Sequence, residues 1–236
     1  MVGFKRLIAQ TAVFLALVGP AVADELALGQ TSVSPWAGLY VGASGGVVMA
    51  GESEWKRDDG VSFSPGFDNG QIFGAQAGYL FQWGAVVAGA EISYSGTNDL
   101  KGSTSCPNAV FTCRNEIDNL LLVNGRLGYG FGRSLVYGTG GYARADVGAE
   151  ATRPDRPDRT ATGEDTATGW NLGIGFEHAF SNTIILGVEY LHVDLAQSGI
   201  VFGEVGRPPS AVDFDATLDL VRLRLSVSID GLSQAQ

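Results

Sequence analysis

The residues of this chain that could carry chemistry are two histidines, two cysteines and a set of spaced acids and arginines. His192-Val-Asp194 is the one place where a histidine and an aspartate sit close together, a pairing suited to general-base attack on an acyl chain by a membrane hydrolase or transferase. No serine is marked out as its nucleophile, so no catalytic residue is assigned. Cys106 and Cys113 have six residues between them, and in an oxidising compartment such a pair closes a disulfide that staples a loop. Neither His178 nor His192 lies near them, and no metal or cofactor site is predicted. The runs Gly42-Ala-Ser-Gly-Gly46 and Gly138-Thr-Gly-Gly141 imitate phosphate loops, yet neither opens a helix nor is followed by lysine; they read as strand glycines.

The remaining candidates are Glu91, Arg126, Arg144, Asp146, Glu177, Glu189, Arg222 and Arg224, and their meaning depends on the elements that position them. Alternation with a period of two predicts eight strands, near 36–49, 72–83, 85–95, 116–131, 134–149, 167–180, 183–194 and 216–229. Tight links follow the even-numbered strands, at Trp83-Gly84, Gly132-Arg133 and Ser181-Asn182. Long polar segments follow the odd-numbered ones, over 51–71, 96–115, 150–166 and 195–215. Short turns at one end and long loops at the other are the pattern of a transmembrane β-barrel.

The start of the chain agrees. Lys5 and Arg6, an apolar stretch from Leu7 to Val22 and Ala21-Val-Ala23 form a cleavable export signal over 1–23. A short periplasmic segment, 24–35, then precedes a barrel over 36–230 and a tail over 231–236. Removing Lys5 and Arg6 from 15 basic residues leaves 13 against 25 acidic ones, a formal charge of −12, which argues against a nucleic-acid partner. No later stretch makes a transmembrane helix, yet 45% of the chain is hydrophobic, so a membrane role falls to strands. Only a closed barrel satisfies their backbone in lipid. The 34 glycines, many inside apolar stretches, also disfavour helices.

Face by face, Phe73 to Trp83, Val86 to Tyr94, Leu121 to Phe131, Trp170 to Phe180, Leu186 to Tyr190 and Val221 to Ile229 each present an apolar row. The same reading places Leu135, Tyr137, Ala143 and Val147 towards lipid and Tyr142, Arg144 and Asp146 inward. Aromatic girdles are expected from Trp36, Phe81, Trp83, Tyr129, Phe131 and Phe180 on the turn side and from Phe73, Tyr94, Trp170 and Tyr190 on the loop side. The lumen then holds four acids (Glu91, Asp146, Glu177, Glu189) and four arginines (Arg126, Arg144, Arg222, Arg224), with Arg144 and Asp146 placed higher than the rest. Eight strands enclose only enough room for side chains, and buried charges persist when paired, so a packed ionic plug is expected. A narrow ion path lined by the same groups is the alternative.

Trp36-Ala-Gly-Leu-Tyr-Val-Gly, Gly125-Arg126-Leu-Gly-Tyr, Leu135-Val-Tyr-Gly-Thr-Gly-Gly-Tyr142, Gly169-Trp170, Gly173-Ile-Gly-Phe-Glu177 and Val188-Glu189-Tyr190-Leu191 resemble the small eight-stranded outer-membrane immunogenic or surface-antigen proteins of proteobacteria, porin-like barrels of the OmpA/OmpX type. The resemblance implies an all-β, antiparallel barrel in a Gram-negative outer membrane, with short periplasmic turns and four extracellular loops. It also implies a structural or surface-interaction role without a shared catalytic motif. The family typically ends on a terminal aromatic, whereas this chain continues past Ile229 into Asp230-Gly-Leu-Ser-Gln-Ala-Gln236. The expected partners are outer-membrane lipids, lipopolysaccharide, the barrel-insertion machinery and an extracellular partner met by the loops. Arg153-Pro-Asp-Arg-Pro-Asp-Arg159 reads as a solvated charged loop, or as a contact made through its arginines. A monomer is expected. A small passive channel is the second reading and an outer-leaflet lipid-modifying enzyme the third.

Overall fold

A computed structural model describes residues 36–57, 60, 62–64, 70–98, 100–105, 112–152, 160–202 and 210–229. The predicted export signal, the segment before Trp36, Cys106, the Arg153 to Arg159 repeat and the tail lie outside them.

Eight long strands form one antiparallel sheet: β1 (Gly38–Arg57), β3 (Gln71–Trp83), β4 (Val86–Asn98), β6 (Thr112–Phe131), β7 (Ser134–Thr152), β8 (Thr160–Ala179), β9 (Ile184–Phe202) and β10 (Ser210–Ser228). Two short strands, β2 (Ser62–Phe63) and β5 (Lys101–Ser105), pair with β1 and β6. Sequential neighbours pair throughout, and β10 pairs back onto β1 from Tyr40↔Ser228 upward, closing the sheet into a ring with no free edge at that level.

The turns at one end are as short as the sequence suggests. Gly84 and Gly132 occupy the left-handed region (φ 60° and 57°), which lets two-residue links join Trp83 to Val86 and Phe131 to Ser134. Between β8 and β9, the Ser181 hydroxyl accepts the amides of Thr183 (3.2 Å) and Ile184 (2.9 Å).

At the other end the strands run well past their predicted limits, and three bulges accompany this. The register shifts between Val48 and Ala50, between Ile117 and Asn119, and between Val212 and Phe214. Each of the first two exchanges the inward parity, so that Ser53 and Trp55 on β1, and Asn115 and Ile117 on β6, still point inside. A reading by strict alternation stops at those bulges, and segments taken there as loop are therefore strand.

The outer face divides into zones. Phe73, Tyr94, Trp170 and Tyr190 are exposed at the loop side and Phe81, Trp83, Tyr129, Phe131 and Phe180 at the turn side, with Leu127 and Leu223, 64% and 69% exposed, between them. A soluble surface does not carry so large an apolar belt. Ten residues separate Phe73 from Trp83 on β3, about 25 Å of height at ~3.3 Å per residue and ~40° tilt, the thickness of the apolar band of such barrels. Trp36 departs from expectation: it is 2% exposed and turned into the turn-side mouth, where its indole packs in the recess beside Tyr40, Leu80 and Ile185.

Above the belt the polarity of the two faces is exchanged. Outward positions carry Asp146, Thr166, Asp194 and Asp215, while the interior is packed with Val48, Ile72, Leu122, Val193, Phe214 and Leu218. This is the arrangement of a water-soluble barrel, built on the same strands as the membrane segment. It also reverses the expected faces of β7. Leu135, Tyr137, Ala143 and Val147 are buried in the lumen, and Tyr142, Arg144 and Asp146 are exposed outside. The inference from polarity failed on β7 because Arg144 and Asp146 sit above the lipid, where charge belongs outside.

Candidate functional site

Within the membrane segment the lumen is crossed by one layer of charge. β4 supplies Glu91, β6 Arg126, β8 Glu177, β9 Glu189 and β10 both Arg222 and Arg224; β1 and β7 add Tyr40 and Tyr137. All eight side chains are buried. The space for them comes from glycine: a Cβ on Gly78 would strike the Tyr40 ring, one on Gly175 the Tyr137 ring, and one on Gly46 would lie 2.8 Å from Cβ of Arg222. Glycine on the lumen face is thus the counterpart of a large ionic residue on a neighbouring strand.

Arg224 is the hub. Its Nη1 donates to Glu91 Oε1 at 2.9 Å while Nη2 donates to Oε2 of the same carboxylate, a two-pronged pair. Its Nε donates to Glu177 Oε1 at 3.2 Å and Nη1 also reaches Glu189 Oε2 at 3.3 Å. Arg222 donates through Nε to Glu189 Oε1 at 2.7 Å, and its Nη2 forms an ion pair with the same oxygen at 2.6 Å. Arg126 donates through Nη2 to Glu177 Oε1 (2.8 Å) and through Nη1 to the Tyr40 hydroxyl (2.9 Å), with its guanidinium carbon 3.7 Å from the centre of the Tyr137 ring. The two phenols donate to the acids, Tyr40 to Glu91 at 2.5 Å and Tyr137 to Glu189 at 2.6 Å.

Three carboxylates face three guanidinium groups, so the layer is neutral if all are ionised. Removing an ion from water costs several kcal/mol even after relaxation, and that cost is offset only when the remaining bonding capacity is used, as it largely is here. Arg126 Nε is one exception, buried without a partner. Beneath the layer lie Trp36, Leu80, Val87, Leu135, Ala179 and Ile185; above it lie Leu122, Leu191 and Leu220 of the upper core. A small recess at the turn-side mouth, lined by Trp36, Tyr40, Leu80 and Ile185, reaches Arg126 and Glu177 from below.

Of the eight charged residues predicted for the lumen, Glu91, Arg126, Glu177, Glu189, Arg222 and Arg224 meet in this layer, and Arg144 and Asp146 do not. Tyr40 and Tyr137 were not assigned there; their parity with Gly42 and Thr139 would have pointed inward. His192 does not pair with Asp194. Its Nδ1 lies 2.8 Å from Asp219 Oδ1 across the β9–β10 register, the Tyr190 hydroxyl donates to the same oxygen at 2.6 Å, and Trp170 stacks obliquely on the ring. No hydroxyl nucleophile among the described residues bonds to His192. Cys113 is buried on β6 and is not a free thiol.

The model of the outer membrane protein beta-barrel domain matches residues 12–216. The chain is 34% identical over 178 residues to the 31 kDa outer-membrane immunogenic protein of Brucella melitensis, covering 70% of this chain and 74% of that one. It is 29% identical over 161 residues to a 22 kDa outer membrane protein of Rhizobium leguminosarum, covering 67% and 64%. Among solved structures, the outer membrane protease OmpT of Escherichia coli is similar in fold, with a TM-score of 0.50 at 8% identity over 81% of this chain and 96% of that one. A closed antiparallel ring, a lipid-facing belt of membrane thickness and these relatives lead to one placement: the chain belongs to the outer membrane β-barrel family and resides in the Gram-negative outer membrane.

Proposed function

We propose that this protein is a non-conducting structural barrel that displays its upper collar and loops for surface interaction. The observation that carries the reading is the neutral layer of Glu91, Glu177, Glu189, Arg126, Arg222 and Arg224, held between two apolar layers. A conducting path needs hydrated or exchangeable ligands along its length, and a selective one carries an excess of one sign. Here the carboxylates and guanidinium groups are spent on each other. The immunogenic name of the Brucella relative fits a protein seen at the cell surface.

The second reading, a small passive channel, draws on the recess at the turn-side mouth that reaches Arg126 and Glu177. The deciding experiment is conductance of the protein in planar bilayers. No steps above background are expected over hours of recording; steady ohmic conductance from the wild type would replace the structural reading with the channel.

A further inference from the structure

The reversed face of β7 leaves a cation where the membrane ends. Arg144 is exposed on the outside, two residues above the exposed Tyr142, whose register partner is the girdle residue Trp170. Its own register partners are Leu121 on β6 and Thr168 on β8. At that height the guanidinium meets the headgroups of the outer leaflet.

Its bonding is almost unused. Among the described residues, the only polar contact of Arg144 is a long one, Nη2 to Thr166 Oγ1 at 3.4 Å. Asp146, two residues higher, forms no ion pair with it and instead takes Asn119 Nδ2 at 3.2 Å and the Thr166 hydroxyl at 3.5 Å. Three other outward cations described on the upper strands differ in height or in company. Lys56 pairs with Glu54 at 3.2 Å near the far end of β1, Lys101 pairs with Glu116 at 2.8 Å, opposite Gly148 in the register and so above Arg144, and Arg114 lies on the far part of β6. Carboxylates also stand at the rim: Asp194 is the register partner of Trp170, and Asp219 that of His192.

We propose that Arg144 is a binding site for a phosphate group of the outer-leaflet glycolipid, on the β6–β8 side of the barrel. The guanidinium offers a two-pronged grip on the phosphate oxygens, and Thr168, its register partner, places a hydroxyl beside it. Tyr142 and Trp170 give the sugar and the upper acyl carbons an amphipathic shelf. The inference rests on the outer-membrane placement and is independent of whether the lumen is closed.

The test uses protein purified from outer membranes and placed in phosphatidylcholine nanodiscs. These contain either lipid A with both phosphates or the same lipid with both removed, and retained lipid is counted by native mass spectrometry. The wild type and Lys101→Gln are expected to retain the phosphorylated lipid about tenfold better, Arg144→Gln to retain both alike, and Arg144→Lys to fall between, since ammonium is a point charge. A heat-modifiable gel band verifies that each variant is folded. An unchanged preference in Arg144→Gln, or no preference in the wild type, overturns the proposal. Planar-bilayer conductance of the same preparations tests the closed lumen separately.

Discussion

Replacing Arg126 with alanine isolates what the ionic layer contributes, and its outcome can be worked from the contacts. Glu177 loses its 2.8 Å partner and keeps only Arg224 Nε at 3.2 Å, whereas Glu91 keeps Arg224 and Tyr40. The layer passes from three acids against three bases to a net charge of −1 in a buried site. Breaking a buried pair from one side costs about 3 to 5 kcal/mol. With a urea slope of about 1 to 3 kcal/mol per molar, the unfolding midpoint in lipid vesicles should fall by roughly 1 to 5 M. Adding Glu177→Gln removes the orphaned charge, so the double variant should regain about 2 kcal/mol over Arg126→Ala alone, a positive coupling in a double-mutant cycle. Neither variant is expected to conduct, because Leu122, Leu191 and Leu220 above the layer are untouched. A midpoint loss below about 0.5 M, or no recovery in the double variant, would refute the argument that pairing holds these ions in place.

The glycines of the lumen give a cleaner contrast. Gly175→Ala places a Cβ in the Tyr137 ring and should cost about 1 to 3 kcal/mol. Gly138→Ala, outward and with no atom closer than 3.9 Å, should be neutral or stabilise by up to about 1 kcal/mol, both read as urea midpoints. Trp36→Ala should cost about 3 to 5 kcal/mol and admit a water-soluble thiol reagent to a cysteine placed at Ser226, which lines the turn-side recess; unchanged labelling would show that Trp36 is not the floor. The disulfide expected between Cys106 and Cys113 should lower the intact mass by about 2 Da until a reductant is added, and its loss in Cys106→Ser should cost about 2 kcal/mol.

Much of the barrel was legible because in a membrane the period-two alternation is enforced by lipid on one side. The apolar rows on β3, β4 and β8 leave Glu91 and Glu177 no direction but inward. The same logic misled on β7, where Leu135 and Tyr137 are apolar or amphipathic and Arg144 and Asp146 are charged, yet the charged pair is outside. A face has no fixed polarity along a strand that leaves the bilayer, and nothing local in the sequence marks the height of exit. The extended strand ends were hidden for a related reason: bulges beside Val48 and Ile117 reset the alternation, and polar outward residues there resemble loop. Tyr40 and Tyr137 were obscured because tyrosine suits either a girdle or a buried carboxylate. The partner of His192 required the β9–β10 register, which sets Asp219 opposite it.

The collar above the membrane has a bearing on how the cell surface is met. β7 continues for ten residues from Tyr142 to Thr152, which at ~3.3 Å per residue and ~40° tilt raises the base of its loop about 25 Å over the headgroups. Since the collar carries an apolar filling of its own, its shape does not depend on the surrounding lipid, and its acidic exterior tolerates exchange of residues that touch nothing. Sequence drift on the collar would alter what is recognised while leaving the wall that seals the membrane unchanged.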